Sequence, residues 1–389
     1  MRTKRLMAAG LAACVMVLAL AGCGGKKEEA PSQDIFESVE EPAEETVTEE
    51  VPEEDPDVPP EEGMERSHFT NEWVDAQVNV NRPLAVMYPV NKQALPQYGY
   101  DKISVFYEIM EEGDMSRQLA ILEDWEGLEK IGNIRSIRDY FVYAALEYDP
   151  VIIHFGGPEL YVSGILLRED VDNLNGTGGS SMGSDYGAYF RDPPGSKSEH
   201  TAYTSAEKIL SGMEKAGFEK EHRDAHYYNQ PHFNFVNEKN VETLEGYDDA
   251  VEATEIDMSA GFPATKSALT YNEEDGLYYK TIYGNPQVDA VSGNQLAFTN
   301  VIVQNAYYEV RDAKGYLAFR MHDTEHDGYY ITQGKMIHVT WKKEGDYLPT
   351  QFFDDNGNEI KVNTGKTCIF VNKEDKTFNV NGTSYGAKN

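Results

Sequence analysis

Cysteine is scarce. The 389 residues hold three, at positions 14, 23 and 368. The first two belong to the N-terminal leader region, so Cys368 stands alone in the rest of the chain and no internal disulfide can form there. Stability must come from buried cores, and Cys368, in TCIFV, reads as a small buried hydrophobe. Positive charge is also short: 34 Lys and Arg face 67 Asp and Glu, a formal net charge of −33. Beyond residue 65 the balance is 50 acidic against 29 basic, still −21. Sequence-independent nucleic-acid binding needs a basic footprint, so nucleic acid is excluded as a partner. Several catalytic patterns are missing as well. There is no Gly-x-Ser-x-Gly, no His-Glu-x-x-His and no phosphate loop of the Walker type.

What is present begins with a leader. Arg2, Lys4 and Arg5 precede an apolar core from Leu6 to Ala21, short of the ~20 residues of a membrane span. Leu20-Ala21-Gly22-Cys23 resembles the bacterial lipobox. In that pattern the cysteine is thioether-linked to diacylglycerol and becomes the mature N-terminus. The expectation is a signal peptide over 1–22 and a lipidated Cys23. That cysteine would hold the chain on the outer face of the bacterial cytoplasmic membrane. Residues 28–65 contain 17 Asp and Glu, no Lys or Arg, and scattered prolines. Such a segment buries too little apolar surface to offset its ordering entropy, and like charges extend it. An acidic disordered tether is expected over 23–75.

The folded part changes texture near residues 250–265. Before it, strands and helices alternate, which predicts an α/β domain with a partly parallel sheet over 76–252. After it, runs such as LYYKTIY, KMIHVTWKK and TCIFVN, separated by turn signals, predict a mostly antiparallel all-β domain over 253–389.

The stretch Lys130–Pro158 concentrates the chemistry. Phe141, Ala144, Ala145 and Tyr148 share one helical face, Asp149-Pro150 ends that helix, and Val151–Phe155 has the composition of a strand buried on both faces. Arg135 and Arg138 fall where the chain enters the helix. Arginine there opposes the helix dipole unless an anion or carboxylate accompanies it. His154 ends the strand before Gly156-Gly157, where ligands of α/β sheets bind. Glu108 lies inside the apolar strand VFYEIM, and Arg117 begins the next strand, so a Glu108–Arg117 pair across a hairpin is expected. A long polar loop over 172–198 carries Arg191 and leads to His200. Arg117, Arg135, Arg138 and His200 are predicted to line one cleft, with Glu108 beside them and His154 and Arg191 as further ligand-binding candidates. Two readings stay open: structural ion pairs of an acidic protein, or a site for an anion. His322-Asp323-Thr324-Glu325-His326-Asp327 has metal-capable side chains, but Asp327-Gly328 reads as a hairpin turn and the segment as a solvated loop. No metal site or cofactor is expected.

NRPLAVM (81–87), VFYE (105–108), GNIRSIRDYF (132–141), HFGG (154–157), the RD…H…YTS run (191–205) and NVIVQ (300–304) resemble the YerB-like bacterial lipoproteins. The resemblance covers both predicted domains and implies their architecture and an extracytoplasmic location, without a reaction. The family's recurring positions fall on Arg82, Glu108, Arg117, Arg135, Arg138 and His200. Leu95 stands where members often carry arginine before Pro96-Gln97. Ser136-Ile137-Arg138-Asp139 is also similar to a Ser-Ile-Pro-Arg-Asp setting of LytR-type enzymes, which grip a lipid pyrophosphate, but lacks the proline. The leading expectation is an envelope lipoprotein that binds or scaffolds through an anionic ligand, such as a wall precursor. The alternatives are a phosphotransferase or phosphodiesterase using arginines on phosphoryl charge, and an adaptor that meets a protein partner through the β domain.

Overall fold

The computed structural model describes residues 55–179, 181–227 and 229–387. The leader, Cys23 and the tether as far as residue 54 lie outside the described residues. Ordered chain starts earlier than expected. β1 (Met64–Arg66) and β2 (Trp73–Asp75) pair as an antiparallel hairpin. Phe69 between them is buried, and Arg66 Nη1 lies 2.8 Å from Glu238 Oε1. The expected tether therefore stops short of residue 75, because the aromatic residues Phe69 and Trp73 give this segment something to bury.

α1 (Ala76–Val80) is capped by Asp75, whose carboxylate accepts from the Gln77 N–H. Three strands follow, β3 (Leu84–Pro89), β4 (Val105–Met110) and β5 (Ser116–Leu122), with every residue buried. After β6 (Ile131–Gly132) come α2 (Asp139–Leu146), β7 (Val151–His154), α3 (Glu159–Leu166) and β8 (Asn173–Asn175). β3, β7 and β8 run parallel, with α2 and α3 in the connections, so the expected βαβ pattern is present. β9 (Phe190–Arg191) and β10 (Ala202–Thr204) extend β6 as a small antiparallel sheet. α4 (Ala206–Ala216) opens on Ser205, whose Oγ accepts from the Lys208 N–H.

The C-terminal half is nearly all strand, and the fold class is the mixed α+β arrangement expected. Its longest sheet does not stop at residue 252. Thr367–Lys373 pairs parallel with β4 on one side and with Asn300–Ala306 on the other. Asp323–Thr332 and Lys335–Lys343 continue the same sheet antiparallel. Eleven strands from both halves thus form one sheet. A second sheet, of seven antiparallel strands, includes Ala268–Asn272, Leu277–Ile282 and Thr377–Val380. Two buried ion pairs tie the halves together: Lys280 Nζ lies 2.8 Å from Glu108 Oε2, and Lys343 Nζ lies 2.9 Å from Glu147 Oε2.

The segment around His322 differs from expectation. Residues Asp323–Thr332 form a strand, with Gly328 opposite Val339, and the turn falls at Gln333-Gly334. Gly328 is there for packing, since a Cβ would lie 2.9 Å from the Val303 carbonyl oxygen. His326 Nε2 lies 3.4 Å from Glu374 and His338 Nδ1 2.6 Å from Asp355. Among the described residues no group of three or more His, Cys, Asp or Glu could hold a metal ion. Nor is any described helix long and apolar enough to cross a membrane.

Candidate functional site

The site is built on the turn between β6 and α2. Four backbone hydrogen bonds fix it. The Ile134 N–H donates to Ala202 O (2.8 Å), Arg135 N–H to Met87 O (2.9 Å) and Ile137 N–H to Gly156 O (3.0 Å), while Phe155 N–H donates to Arg135 O (2.9 Å). The turn therefore lies just beyond the carboxyl end of β7. The two glycines after His154 are explained by this contact. At Gly157 a Cβ would sit 2.8 Å from the Ile137 carbonyl oxygen, and Gly156 takes a φ of +76°. What comes close to them is the arginine-bearing turn itself.

Ser136 stands between two guanidinium groups. Its Oγ accepts from Arg138 Nη1 at 3.1 Å and, by a short bond, from Arg117 Nη1, which also donates to the Ser136 carbonyl oxygen at 2.7 Å. Arg117 Nη2 donates to Glu111 Oε1 at 2.5 Å. Arg138 Nη2 lies 2.9 Å from Glu111 Oε2 and also pairs with Glu112, whose Oε2 accepts from Arg138 Nε at 3.1 Å. Arg135 Nη1 lies 2.8 Å from Glu199 Oε2, and His200 Nε2 lies 3.5 Å from the other oxygen of Glu199. Side-chain exposure rises from 4 % at Arg117 and 7 % at Arg138 to 20 % at Arg135, so solvent reaches the cluster at Arg135.

The electrostatics follow from that burial. Burial pulls the Arg117 guanidinium down to about 10, against the attraction of Glu111 and with help from Arg138 and Arg135. Burial pushes Glu111 up, although three arginines oppose it. Burial would also lower Arg138, but Glu111 and Glu112 outweigh it and raise the group. His200 is lowered by burial and then by Arg135, so it is neutral at pH 7. Three buried nitrogens in the cluster have no hydrogen-bond partner: Arg117 Nε, Arg135 Nε and His200 Nδ1. Buried polar groups are rarely left unpaired.

Four expected residues thus meet: Arg117, Arg135, Arg138 and His200. Three do not join them. Glu108 is opposite Gln118 in the β4–β5 register, whereas Arg117 is opposite Ile109, so the two side chains leave the sheet on opposite faces. The expected Glu108–Arg117 pair is replaced by Glu108–Lys280 and Arg117–Glu111. His154 is buried, its ring nitrogens 3.0 Å from Gly156 O and 3.1 Å from Asn173 Oδ1. Arg191 donates to the Ser198 carbonyl oxygen and lies over the Phe155 ring at 4.5 Å. It lines a separate groove of about 470 Å³ with Phe155, Thr177, Asp185 and Tyr189. Sequence reading missed Glu111, Glu112, Ser136 and Glu199 as members of the cluster. All four lie in turns or loops, where a carboxylate or hydroxyl carries no periodic signal.

Two family models match the chain. The N-terminal domain of the protein family of unknown function DUF3048 covers residues 69–219, and the C-terminal domain of that family covers 256–369. The chain belongs to the YerB-like family. A curated member, "Putative lipoprotein YerB" of Bacillus subtilis (strain 168), is 24% identical over 303 residues, which are 76% of this chain and 80% of that protein. The crystal structure of YerB from Bacillus subtilis superposes with a TM-score of 0.64 at 22% identity, covering 79% of this chain and 96% of that one. At that identity the likeness to YerB establishes the fold. The two family models part between residues 219 and 256, although the long sheet passes through both halves.

Proposed function

We propose that this YerB-like chain is an envelope lipoprotein anchored through Cys23 on the outer face of the cytoplasmic membrane. Its arginine turn captures an anionic group, a phosphate or carboxylate of an envelope ligand such as a wall precursor. The observation that carries the second half is the unpartnered nitrogens. A cluster serving only as a structural ion-pair network has reason to satisfy its buried donors, yet Arg117 Nε, Arg135 Nε and His200 Nδ1 have no partner. Arginine suits planar, bidentate capture of such groups. Three arginines balanced by Glu111, Glu112 and Glu199 make the cluster neutral within a chain of net charge −33, so an anion meets less repulsion there than over the rest of the surface.

The anchor and the site are tested separately. Cys23→Ala in the full chain is expected to leave the protein as precursor or in the soluble fraction. Processing and membrane retention unchanged from wild type would contradict the anchor. Arg135→Gln is expected to abolish pyrophosphate binding while leaving the melting temperature within about 2 °C, because an exposed pair contributes only ~0–1 kcal/mol. A large drop in melting temperature, with no anion binding in the wild type, favours a purely structural cluster.

A further inference from the structure

Glu199 deepens this reading, and the inference rests on it. We propose that Glu199 is a built-in competitor that occupies the place of the ligand, and that the ligand group is a singly charged carboxylate.

Charge and geometry both point there. Arg117, Arg135 and Arg138 bring three positive charges, and Glu111 and Glu112 bring two negative ones held among the arginines. With Glu199 in place the cluster is neutral. With Glu199 displaced, one positive charge is left, which a monoanion balances and a phosphate dianion over-fills. The carboxylate already present at Arg135 is the chemistry the site accepts, at 2.8 Å. It is nevertheless the least anchored member. The Glu199 side chain is 61 % exposed, against 8 % for Glu111 and 26 % for Glu112. It sits on the stretch Pro193–His200, whose backbone bonds include the local turn from Ser196 N–H to Pro193 O. Glu199 also leaves the site incompletely used. Arg135 Nε, Arg117 Nε and His200 Nδ1 stay without partners while it is bound. A carboxylate free of the chain can approach Arg135 side-on, engaging Nε and a terminal nitrogen together, the bidentate arrangement for which the guanidinium is shaped. Arg117 Nε and His200 Nδ1, buried and unpartnered in the same cluster, are the further donors that such a ligand would recruit.

Glu199 therefore sets a threshold. Weak or wrongly shaped anions lose to the tethered carboxylate, and a ligand that fills the unpartnered donors displaces it. The exchange needs no movement of the sheet or of α2, only of an exposed loop.

The test is an NMR titration of the full chain, reading the arginine Nε–H signals and the His200 ring. The probes are N-acetylalanine, dimethyl phosphate and pyrophosphate, added to wild type, Glu199→Gln and Arg135→Gln. Removing an exposed competing ion pair is expected to tighten N-acetylalanine binding by about 2- to 5-fold in Glu199→Gln. In Arg135→Gln, N-acetylalanine binding should be lost. Tightest binding by pyrophosphate, or by dimethyl phosphate over N-acetylalanine, would overturn the carboxylate assignment while leaving the anion site standing. Unchanged affinity in Glu199→Gln would overturn its role as competitor. No Arg135-dependent response to any probe would overturn the anion site itself.

Discussion

Lys280→Met is expected to destabilise the fold by about 3–5 kcal/mol, the usual cost of leaving a buried charge without its partner. Lys280 and Glu108 are both fully buried, with Nζ 2.8 Å from Oε2. Glu108 also accepts from Ser116 Oγ at 2.6 Å and Ser267 Oγ at 2.8 Å. Burial alone would raise its pKa, but Lys280 and these hydroxyls hold it below the ordinary 4.5. A carboxylate with a depressed folded pKa stabilises the fold above its unfolded pKa. That contribution is lost as pH falls through the folded value, so the pair works at neutral pH and fails in acid. Methionine fills the space of the lysine stem and leaves the carboxylate unpaired. Adding Glu108→Gln to Lys280→Met should recover much of the loss, since an uncharged pair escapes the desolvation cost. Urea unfolding of the two single variants and the double variant measures this. A loss below about 1 kcal/mol for Lys280→Met would mean that the pair is wet and weak. Because the eleven-stranded sheet runs through both halves, the destabilised variant is still expected to unfold in one transition rather than two.

His232 should make the protein less stable as pH falls from 6.5 towards 4, against the opposite contribution of buried Glu123, which burial pushes up to about 7. His232 is buried, stacked on Tyr148 at 4.3 Å, with Nε2 3.9 Å from Glu147 Oε1 and no hydrogen-bond partner. Burial, with Lys343 nearby, pulls its pKa from the ordinary 6.5 to about 4, although Glu147 opposes this. Between those two values the unfolded chain binds a proton that the folded chain refuses, so stability falls as pH drops from 6.5 to 4 and levels off below. The shift corresponds to roughly 3 kcal/mol over that window. His232→Phe keeps the stacking surface and removes the titration, so its stability should fall less by about that amount between pH 7 and pH 4. His154 and His222 are also lowered by burial and will leave some acid sensitivity behind. Identical pH slopes for wild type and variant would show that His232 can charge without cost.

Much of this architecture was legible in the residues. Continuous apolar runs announced β4, β5 and β7, and Asp149-Pro150 announced the end of α2. These are local signals of period and steric exclusion. The nearness of Arg117, Arg135 and Arg138 was legible in part, because Arg117 begins a strand and Arg135 and Arg138 lead into a helix. What was hidden depended on register and long-range pairing. Whether Arg117 faces Glu108 or Glu111 turns on a one-residue offset across the β4–β5 hairpin, and every side chain changes face with that offset. No local pattern announces that Thr367–Lys373 pairs with β4, or that Lys280 reaches Glu108. Glu199 lies in an exposed polar stretch where a carboxylate carries no signal of its own. The DG at residues 327–328 looked like a hairpin turn, because glycine serves both turns and close strand packing.

The arginine turn is expected to hold an anion where Glu199 now sits. A crystal structure of the full chain soaked with N-acetylalanine tests it most directly. The expected result is carboxylate density bridging Arg135 Nε and a terminal nitrogen of the same guanidinium, within hydrogen-bond reach of Arg117 Nε, with Glu199 swung into solvent. An intact Arg135–Glu199 pair at 2.8 Å, with no density beside Arg117 Nε at saturating probe, would contradict it.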